Sequence, residues 1–254
     1  MVPELHPFLD HGGPIAFAHR GGAEVHPENT ERAFRHAVDL GYTHIETDVH
    51  VTRDGVVIAF HDSRLDRVTD REGEIAEMSW DEVRVARVAG TEEIMRLEDL
   101  LEAFPDTYVN LDPKSDAAAE PMADVILRTA SVDRVLVGSF SDRRIRRVRR
   151  LVGDALAVSA GPRRILGLLA RGFGLRWPVR GIVAAQVPTC VGRVEIVTPR
   201  FVGAAHDLGL HVHVWTINDA AEMHRLLDLG VDGIMTDRPD VLRDVFRSRG
   251  HWRE

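Results

Sequence analysis

The strongest constraint on the fold is an alternation of strand-like and helix-like segments along the whole chain. The strand-like segments are short runs of β-branched and apolar residues, and the helix-like segments repeat apolar residues at helical spacing. With the return strand of one hairpin set aside, the pattern gives eight strands in 254 residues. They are Ile15 to His19, Thr43 to Val49, Tyr108 to Asp112, Val135 to Ser139, Leu156 to Ser159, Ile182 to Gln186, His211 to Trp215 and Gly233 to Thr236. Such an alternation predicts an α/β fold, the TIM (β/α)8 barrel.

The alternation is interrupted once, after the second strand. Only Thr52 to Gly55 separates that strand from another apolar run, and so short a link requires an antiparallel hairpin. A polar stretch follows, in which Ser79 to Glu82 has the pattern of a capping box at the start of one short helix. We therefore predict a single domain over residues 1–254 with a small insertion at about 52–96.

Three short runs carry the candidate chemistry: His19-Arg20-Gly21, Glu46-Thr47-Asp48 and His61-Asp62. Carboxylates two residues apart on a strand point the same way, and histidine is the side chain best suited to move protons near neutral pH. If Val51 pairs with Val56 in the hairpin, Glu46 lies opposite His61. The runs together predict a metal-assisted acid/base site.

The barrel predicts where these groups meet, because its chemistry gathers at the carboxyl ends of the strands. His19, Glu46, Asp48, Asp112 and Trp215 all fall at that end, as does Asp237. Converging carboxylates repel each other unless a cation lies among them, and an all-oxygen set favours one divalent cation, Mg²⁺ or Ca²⁺, over zinc. Lys114 is the only lysine among 32 basic residues, which favours a functional point charge beside Asp112.

Composition excludes several classes of partner. The net charge of −8 argues against nucleic acid, and no run is long and apolar enough for an integral membrane segment. The first fourteen residues lack the basic start and apolar core of a signal peptide. Cys190 is the only cysteine, so no internal disulfide can form. These features predict a cytoplasmic protein.

The motifs resemble those of the glycerophosphodiester phosphodiesterases from about Ala16 to Val241. The matching runs are His19 to Gly22, Pro27 to Thr30, Glu46 to Val49, Asp54-Gly55 with His61-Asp62, Asn110 to Lys114, Val214 to Asn218 and Thr236 to Pro239. The resemblance implies hydrolysis of a small-molecule glycerophosphodiester to sn-glycerol 3-phosphate and an alcohol. It also implies a TIM barrel with a small insertion after the second strand.

The resemblance also implies roles for individual residues. His19 and His61 form the acid/base pair. Arg20 and Lys114 contact the phosphate. The metal ligands are Glu46, Asp48 and Asp112. The family most often has glutamate at the last of these positions, and the shorter aspartate would draw the metal inward or bind it through water.

Two further residues are candidates for substrate contact. Trp215 is suited to form an apolar wall for the glycerol. Alternatively, its ring packs at the top of the barrel without contacting substrate. Glu28 is a candidate that either orients His19 or opens the first helix. Asn29 is predicted to cap that helix.

The segment from Ile165 to Trp177 is the sequence feature that bears on whether the substrate carries an acyl chain. Its large apolar residues alternate with arginines, which is compatible with a barrel helix, an acyl-chain site or peripheral contact with an anionic bilayer. Soluble diesters are the expected substrates, and lysophospholipids, cleaved as by a lysophospholipase D, are the alternative. The arginine-rich run from Asp142 to Arg150 is interpreted as a solvated helix face. A non-catalytic phosphate-binding barrel is disfavoured because both histidines and all three carboxylates are present.

Overall fold

The structure is a computed structural model that describes residues 5–252 of the chain. Its strands are β1 (Ile15–His19), β2 (His44–Val51), β3 (Val57–Ala59), β4 (Arg87–Val88), β5 (Glu92–Glu93), β6 (Tyr108–Pro113), β7 (Val135–Val137), β8 (Ala157–Val158), β9 (Ala184–Pro188), β10 (Cys190–Val191), β11 (Val194–Glu195), β12 (His211–Trp215) and β13 (Gly233–Thr236). Eight of them pair in parallel in the order β8-β7-β6-β2-β1-β13-β12-β9. A parallel bridge between Ser159 and Ala184 joins the two ends of this sheet. The predicted TIM barrel is confirmed.

Helices surround this barrel, and all of those described except the short second one bury their apolar faces against it. They are α1 (Glu31–Asp39), α2 (Trp80–Val83), α3 (Leu97–Ala103), α4 (Ala119–Arg128), α5 (Asp142–Val152), α6 (Pro162–Gly172), α7 (Pro199–His206), α8 (Ala220–Asp228) and α9 (Pro239–Ser248). None of the helices described is long and apolar enough to cross a bilayer.

The start of α1 differs from the prediction. Thr30, not Asn29, caps this helix, and its hydroxyl accepts a hydrogen bond from the Ala33 amide at 3.3 Å. Asn29 instead has a positive φ of 58°, and its Oδ1 accepts a hydrogen bond from Thr47 at 2.8 Å. Its side chain therefore ties the loop after β1 to β2, which both carry candidate site residues.

The β2–β3 hairpin forms, but its register differs from the prediction by one residue. Val51 pairs with Val57 rather than Val56, and the ladder ends where Val49 pairs with Ala59. The reason lies in the turn, where the Thr52 hydroxyl accepts a hydrogen bond from the Val56 amide and thereby includes that residue in the loop. The expected cross-strand pair of Glu46 with His61 is therefore wrong.

The segment between β2 and α3 forms a small layer of its own beside the barrel. It contains β3, the short β4–β5 hairpin and α2, and its apolar residues make a separate buried cluster that includes Phe60, Leu65 and Ile75. The predicted capping box is present, since the Glu82 carboxylate accepts a hydrogen bond from the Ser79 amide at 2.7 Å.

The amino-terminal end of the barrel is covered by a short 3₁₀ turn, Pro7–Leu9. Phe8 is fully buried and packs against the rings of Phe17, His44 and Tyr108. His44 Nε2 lies 2.9 Å from the Phe8 carbonyl oxygen, and burial lowers the pKa of this histidine to about 3. With this end packed, the opposite end of the barrel is left for a cavity.

Candidate active site

A cavity of about 820 Å³ opens at the carboxyl ends of the barrel strands. One side is charged, and it carries His19, Arg20, Glu46, Asp48, His61, Asp112 and Lys114. The other side is apolar, and its large residues are Phe140, Ile165, Leu166, Leu169, Val187, Val191, Val194, Ile196 and Trp215. Every candidate site residue from the sequence lines this cavity except Glu28. The cavity can therefore hold a molecule with one anionic and one apolar part.

His19 ends β1 and is held by a carboxylate. Its Nδ1 lies 2.6 Å from Asp237 Oδ1, and its Nε2 lies 3.7 Å from Glu46 Oε2. Burial opposes the charged ring, but the charges of Glu46 and Asp237 and the hydrogen bond to Asp237 raise its pKa above the ordinary value. Asn218 donates a hydrogen bond to the second oxygen of Asp237 at 3.0 Å. His19 therefore has a fixed orientation and is poised to carry a proton.

His61 has a matching arrangement on the charged side of the cavity. Its Nδ1 lies 2.6 Å from Asp62 Oδ1, and its backbone oxygen lies 3.0 Å from His50 Nε2. The hydrogen bond from Arg67 is the main cause that lowers the pKa of Asp62 to about 2. Both candidate histidines thus have a carboxylate on Nδ1, which leaves Nε2 of each ring for proton transfer.

The three candidate ligand carboxylates are buried or nearly so, and they come from neighbouring strands. Residue pairing places Glu46 beside His19 and Asp48 beside Asp112. Burial and then the charge of Asp48 raise the pKa of Glu46 to about 7. Burial likewise raises the pKa of Asp112. The fold thus concentrates negative charge where it is poorly solvated.

Two positively charged side chains compensate this negative charge. Lys114 Nζ lies 2.6 Å from Asp48 Oδ1 and 2.8 Å from Asp112 Oδ2. Burial opposes the ammonium, but these two carboxylates raise its pKa above the ordinary value. Arg20 Nε lies 2.9 Å from Asp48 Oδ2, although the two atoms lack hydrogen-bond geometry. The sole lysine of the chain is thus kept charged between two acids.

The donor set fits a hard divalent cation in its chemistry. Asp48 Oδ2 is a buried oxygen with no hydrogen-bond partner, and burial followed by the charge of Asp48 raises the pKa of the neighbouring Glu46. Within residues 5–252, no three histidine, cysteine or acidic side chains are gathered as a metal site, and Lys114 contacts two of the carboxylates concerned. A cation here would take over the compensation that Lys114 provides.

Glu28 lies behind the cavity and contacts Arg20 rather than His19. Its Oε1 accepts a hydrogen bond from Arg20 at 3.0 Å. Arg67, from the segment between β2 and α3, donates to both oxygens of Glu28 at 2.7 and 3.0 Å. It also donates to both oxygens of Asp62, at 2.5 and 3.2 Å. One guanidinium thus links the partner of Arg20 to the partner of His61.

Sequence reasoning gave no role to several of these residues, although it placed Asp237 at the correct end of the barrel. Asp237 follows the last strand, and that position was the available signal, but its pairing with His19 depends on closure of the barrel. Arg67 gave no signal, since it is one arginine among many in a polar segment. Asn110 and Gln186 also line the cavity, and the Gln186 amide donates a hydrogen bond to Asn110 Oδ1 at 2.9 Å.

Replacing Asp237 with asparagine should lower the pKa of His19, because the charge and hydrogen bond of Asp237 both raise it. A raised folded pKa stabilises the protein below the unfolded pKa, and the benefit is lost as pH rises through the folded value. The variant should therefore lose more unfolding free energy near pH 5 than near pH 9. NMR titration of His19 in chelator-treated protein measures the shift. Asp232→Asn, which removes the carboxylate beside His206, is the control, and an unchanged His19 pKa in Asp237→Asn would contradict the assignment.

Comparison with known proteins agrees with this geometry. The model of the glycerophosphoryl diester phosphodiesterase family matches residues 19–241. Probable glycerophosphodiester phosphodiesterase 2 of Mycobacterium tuberculosis is 46% identical over 251 residues, which covers 96% of this chain and 95% of that protein.

Solved structures share the fold. A phosphodiesterase of Oleispira antarctica, in complex with the product sn-glycerol-3-phosphate, has a TM-score of 0.78 at 21% identity over 93% of this chain and 98% of that one. A glycerophosphodiester phosphodiesterase of Agrobacterium tumefaciens has a TM-score of 0.76 at 22% identity over 90% and 98%. Because the family model spans residues 19–241 and the Mycobacterium tuberculosis relative is 46% identical over nearly the whole chain, the chain belongs to the glycerophosphoryl diester phosphodiesterase family.

Proposed function

We propose that this chain hydrolyses glycerophosphodiesters to sn-glycerol 3-phosphate and an alcohol by acid/base catalysis with two histidines. The observation that carries the proposal is the pair of rings, His19 and His61, each with a carboxylate on Nδ1 and both lining one cavity with Arg20 and Lys114. The product bound to the Oleispira antarctica structure and the name of the Mycobacterium tuberculosis relative support the substrate class.

The chain's own residues supply what this reaction needs. A phosphodiester is anionic and repels nucleophiles, so Arg20 and Lys114 would bind its oxygens and offset the charge that builds on them. One histidine takes a proton from the attacking group, which is water or the substrate's own 2-hydroxyl. The other histidine gives a proton to the leaving alkoxide. Asp237 and Asp62 would hold the two rings in the tautomer that this exchange requires.

The proposed cofactor is one divalent cation, Mg²⁺ or Ca²⁺, held by Glu46, Asp48 and Asp112. When bound, it would neutralise charge on the phosphate oxygens. Support comes from the all-oxygen donor set and from the raised pKa of the buried Glu46. Lys114, which pairs with Asp48 and Asp112, would then be available to contact the phosphate. The proposed location is the cytoplasm, supported by the single unpaired cysteine.

The apolar side of the cavity favours a second candidate substrate, a lysophospholipid with one acyl chain. Ile165, Leu166 and Leu169 of α6 line that side. Phe173 and Trp177, in the same apolar segment, are not among the lining residues. Trp177 lies instead against Gly167, where an added Cβ would come within 2.4 Å of its ring. An acyl chain in this cavity would therefore contact the first part of that segment and not its end.

Arg67 is proposed as a positioning residue, because it holds the partners of both Arg20 and His61. Replacing it with methionine should reduce kcat more than it raises KM, by about tenfold or more. Loss of the Arg67 charge beside Asp62 and the His61 ring should also favour protonation of the groups there, so the acidic limb of the pH profile should move to higher pH.

Steady-state kinetics as a function of pH measures both effects of Arg67→Met. Arg64→Met is the matched control, since that arginine of the same segment pairs with Asp66 and Glu74, away from the cavity. Arg67→Lys should recover part of the rate. If Arg67→Met lowers kcat but leaves the pH profile unchanged, the role of Arg67 is only structural.

Replacing either candidate histidine with alanine should lower kcat by about a hundredfold or more, with folding retained. His26→Ala is the control because that residue does not line the cavity. A substrate whose leaving group has a low pKa needs no general acid, so it should rescue only the variant that lacks the acid. A variant that keeps more than about a tenth of the wild-type rate on an ordinary alkoxide substrate would exclude that histidine.

Removal of divalent cations should abolish hydrolysis, and Mg²⁺ or Ca²⁺ should restore it. Glu46→Gln and Asp48→Asn should reduce both the rate and the cation affinity measured by calorimetry. Asp112→Asn should cost less if its shorter side chain binds through water, whereas equal losses would make all three direct ligands. Full activity in thoroughly chelated protein would overturn the proposed cofactor.

A further inference from the structure

The mouth of the cavity is bordered by large apolar side chains that remain exposed to solvent. Phe140, Leu166, Val191 and Val194 line the cavity and yet are 70%, 57%, 61% and 61% exposed. They come from the loop after β7, from α6 and from the β10–β11 hairpin. Isolated exposed apolar residues are ordinary on a protein surface, but a group of them around a cavity mouth indicates an interaction site.

The position of α6 extends this apolar border. Its carboxyl end contacts the start of α7, since a Cβ on Gly172 would lie 3.1 Å from the Arg200 carbonyl oxygen. Phe173, at this junction, is 72% exposed and lies 5.3 Å below the Arg200 guanidinium. The exposed apolar residues of the hairpin, α6 and this junction therefore border the same end of the barrel. We name Phe140, Leu166, Phe173, Val191 and Val194 the mouth rim.

The rim lies in a basic part of the chain. Residues 161–200 contain seven arginines and one glutamate, in a chain of net charge −8. Within the described part of the chain, Arg163, Arg176 and Arg193 make no ion pair. In α5, by contrast, Arg144 and Arg147 pair with acids of neighbouring elements, whereas Arg146 and Arg150 are exposed. The three unpaired arginines of residues 161–200 therefore leave positive charge free in the same stretch of chain that supplies most of the rim.

We propose that the mouth rim docks on an anionic lipid surface, with its apolar side chains in the interface and the surrounding arginines on the headgroups. Insertion of apolar side chains together with attraction of arginines to anionic lipid is how peripheral proteins bind membranes. The negative charge on the rest of the chain is repelled by the same surface, which turns the mouth toward the lipid. The cavity then opens directly onto the bilayer.

Co-sedimentation of the full chain with vesicles tests this proposal without any turnover. Vesicles of phosphatidylcholine alone are compared with vesicles of phosphatidylcholine mixed with phosphatidylglycerol. One variant combines Leu166→Ser with Val194→Ser, and another combines Arg163→Gln with Arg193→Gln. The apolar control is Val85→Ser with Leu127→Ser, two residues that are each 47% exposed and do not line the cavity. The basic control is Arg146→Gln with Arg150→Gln on exposed positions of α5.

The wild-type chain and both controls should bind the mixed vesicles and leave the neutral vesicles largely unbound. Each rim variant should bind the mixed vesicles about tenfold more weakly. No wild-type binding, or equal loss in the controls, would overturn the proposal. So would concentration-dependent dimerisation that only the Leu166→Ser/Val194→Ser variant loses, because a second copy would then cover the rim. Hydrolysis of soluble glycerophosphocholine by the wild-type chain tests the proposed function separately, so that the two failures remain distinguishable.

Discussion

The interaction on which the site depends is the compensation of buried acids by two cations. Asp48 lies between Arg20 and Lys114, and Lys114 also contacts Asp112. Unpaired, such carboxylates would take up protons, and burial together with the charge of Asp48 already raises the pKa of Glu46 to about 7. The barrel holds the acids on adjacent strands, so their repulsion cannot be relieved by moving apart. Arg20 and Lys114 therefore stabilise this part of the barrel as well as forming part of the candidate site.

A second layer of charge fixes the groups that would act on the substrate. Asp237 and Asp62 hold the two histidines, and Arg67 holds Asp62 and Glu28 together. Because Glu28 in turn contacts Arg20, a displacement of Arg67 would alter the positions of both Arg20 and His61. The segment between β2 and α3 thus contributes to the site through Arg67 as well as through His61. This coupling explains how residues outside the cavity can influence its geometry.

The sequence predicted what depends on local pattern and on barrel geometry. Strands β1, β12 and β13 have the predicted limits, because their apolar runs end at glycine or polar residues. Barrel chemistry gathers at the carboxyl ends of the strands, and this correctly predicted that His19, Glu46, Asp48 and Asp112 line one cavity. The hairpin register failed because the Thr52 side chain enlarged the turn, which a count of residues does not reveal. The pairing of Asp237 with His19 spans nearly the whole chain, so only the closed barrel brings the two together.

The cavity combines two environments that soluble substrates would not both require. Its charged side suits a phosphodiester, whereas its apolar side continues outward into the exposed mouth rim. Exposed apolar side chains around an opening are costly in water unless something covers them part of the time. Docking of the proposed mouth rim on a bilayer would cover these side chains and would bring the second candidate substrate, a lysophospholipid, to the cavity. The charged side of the cavity and its apolar side would then each contact one part of a substrate that is itself amphiphilic.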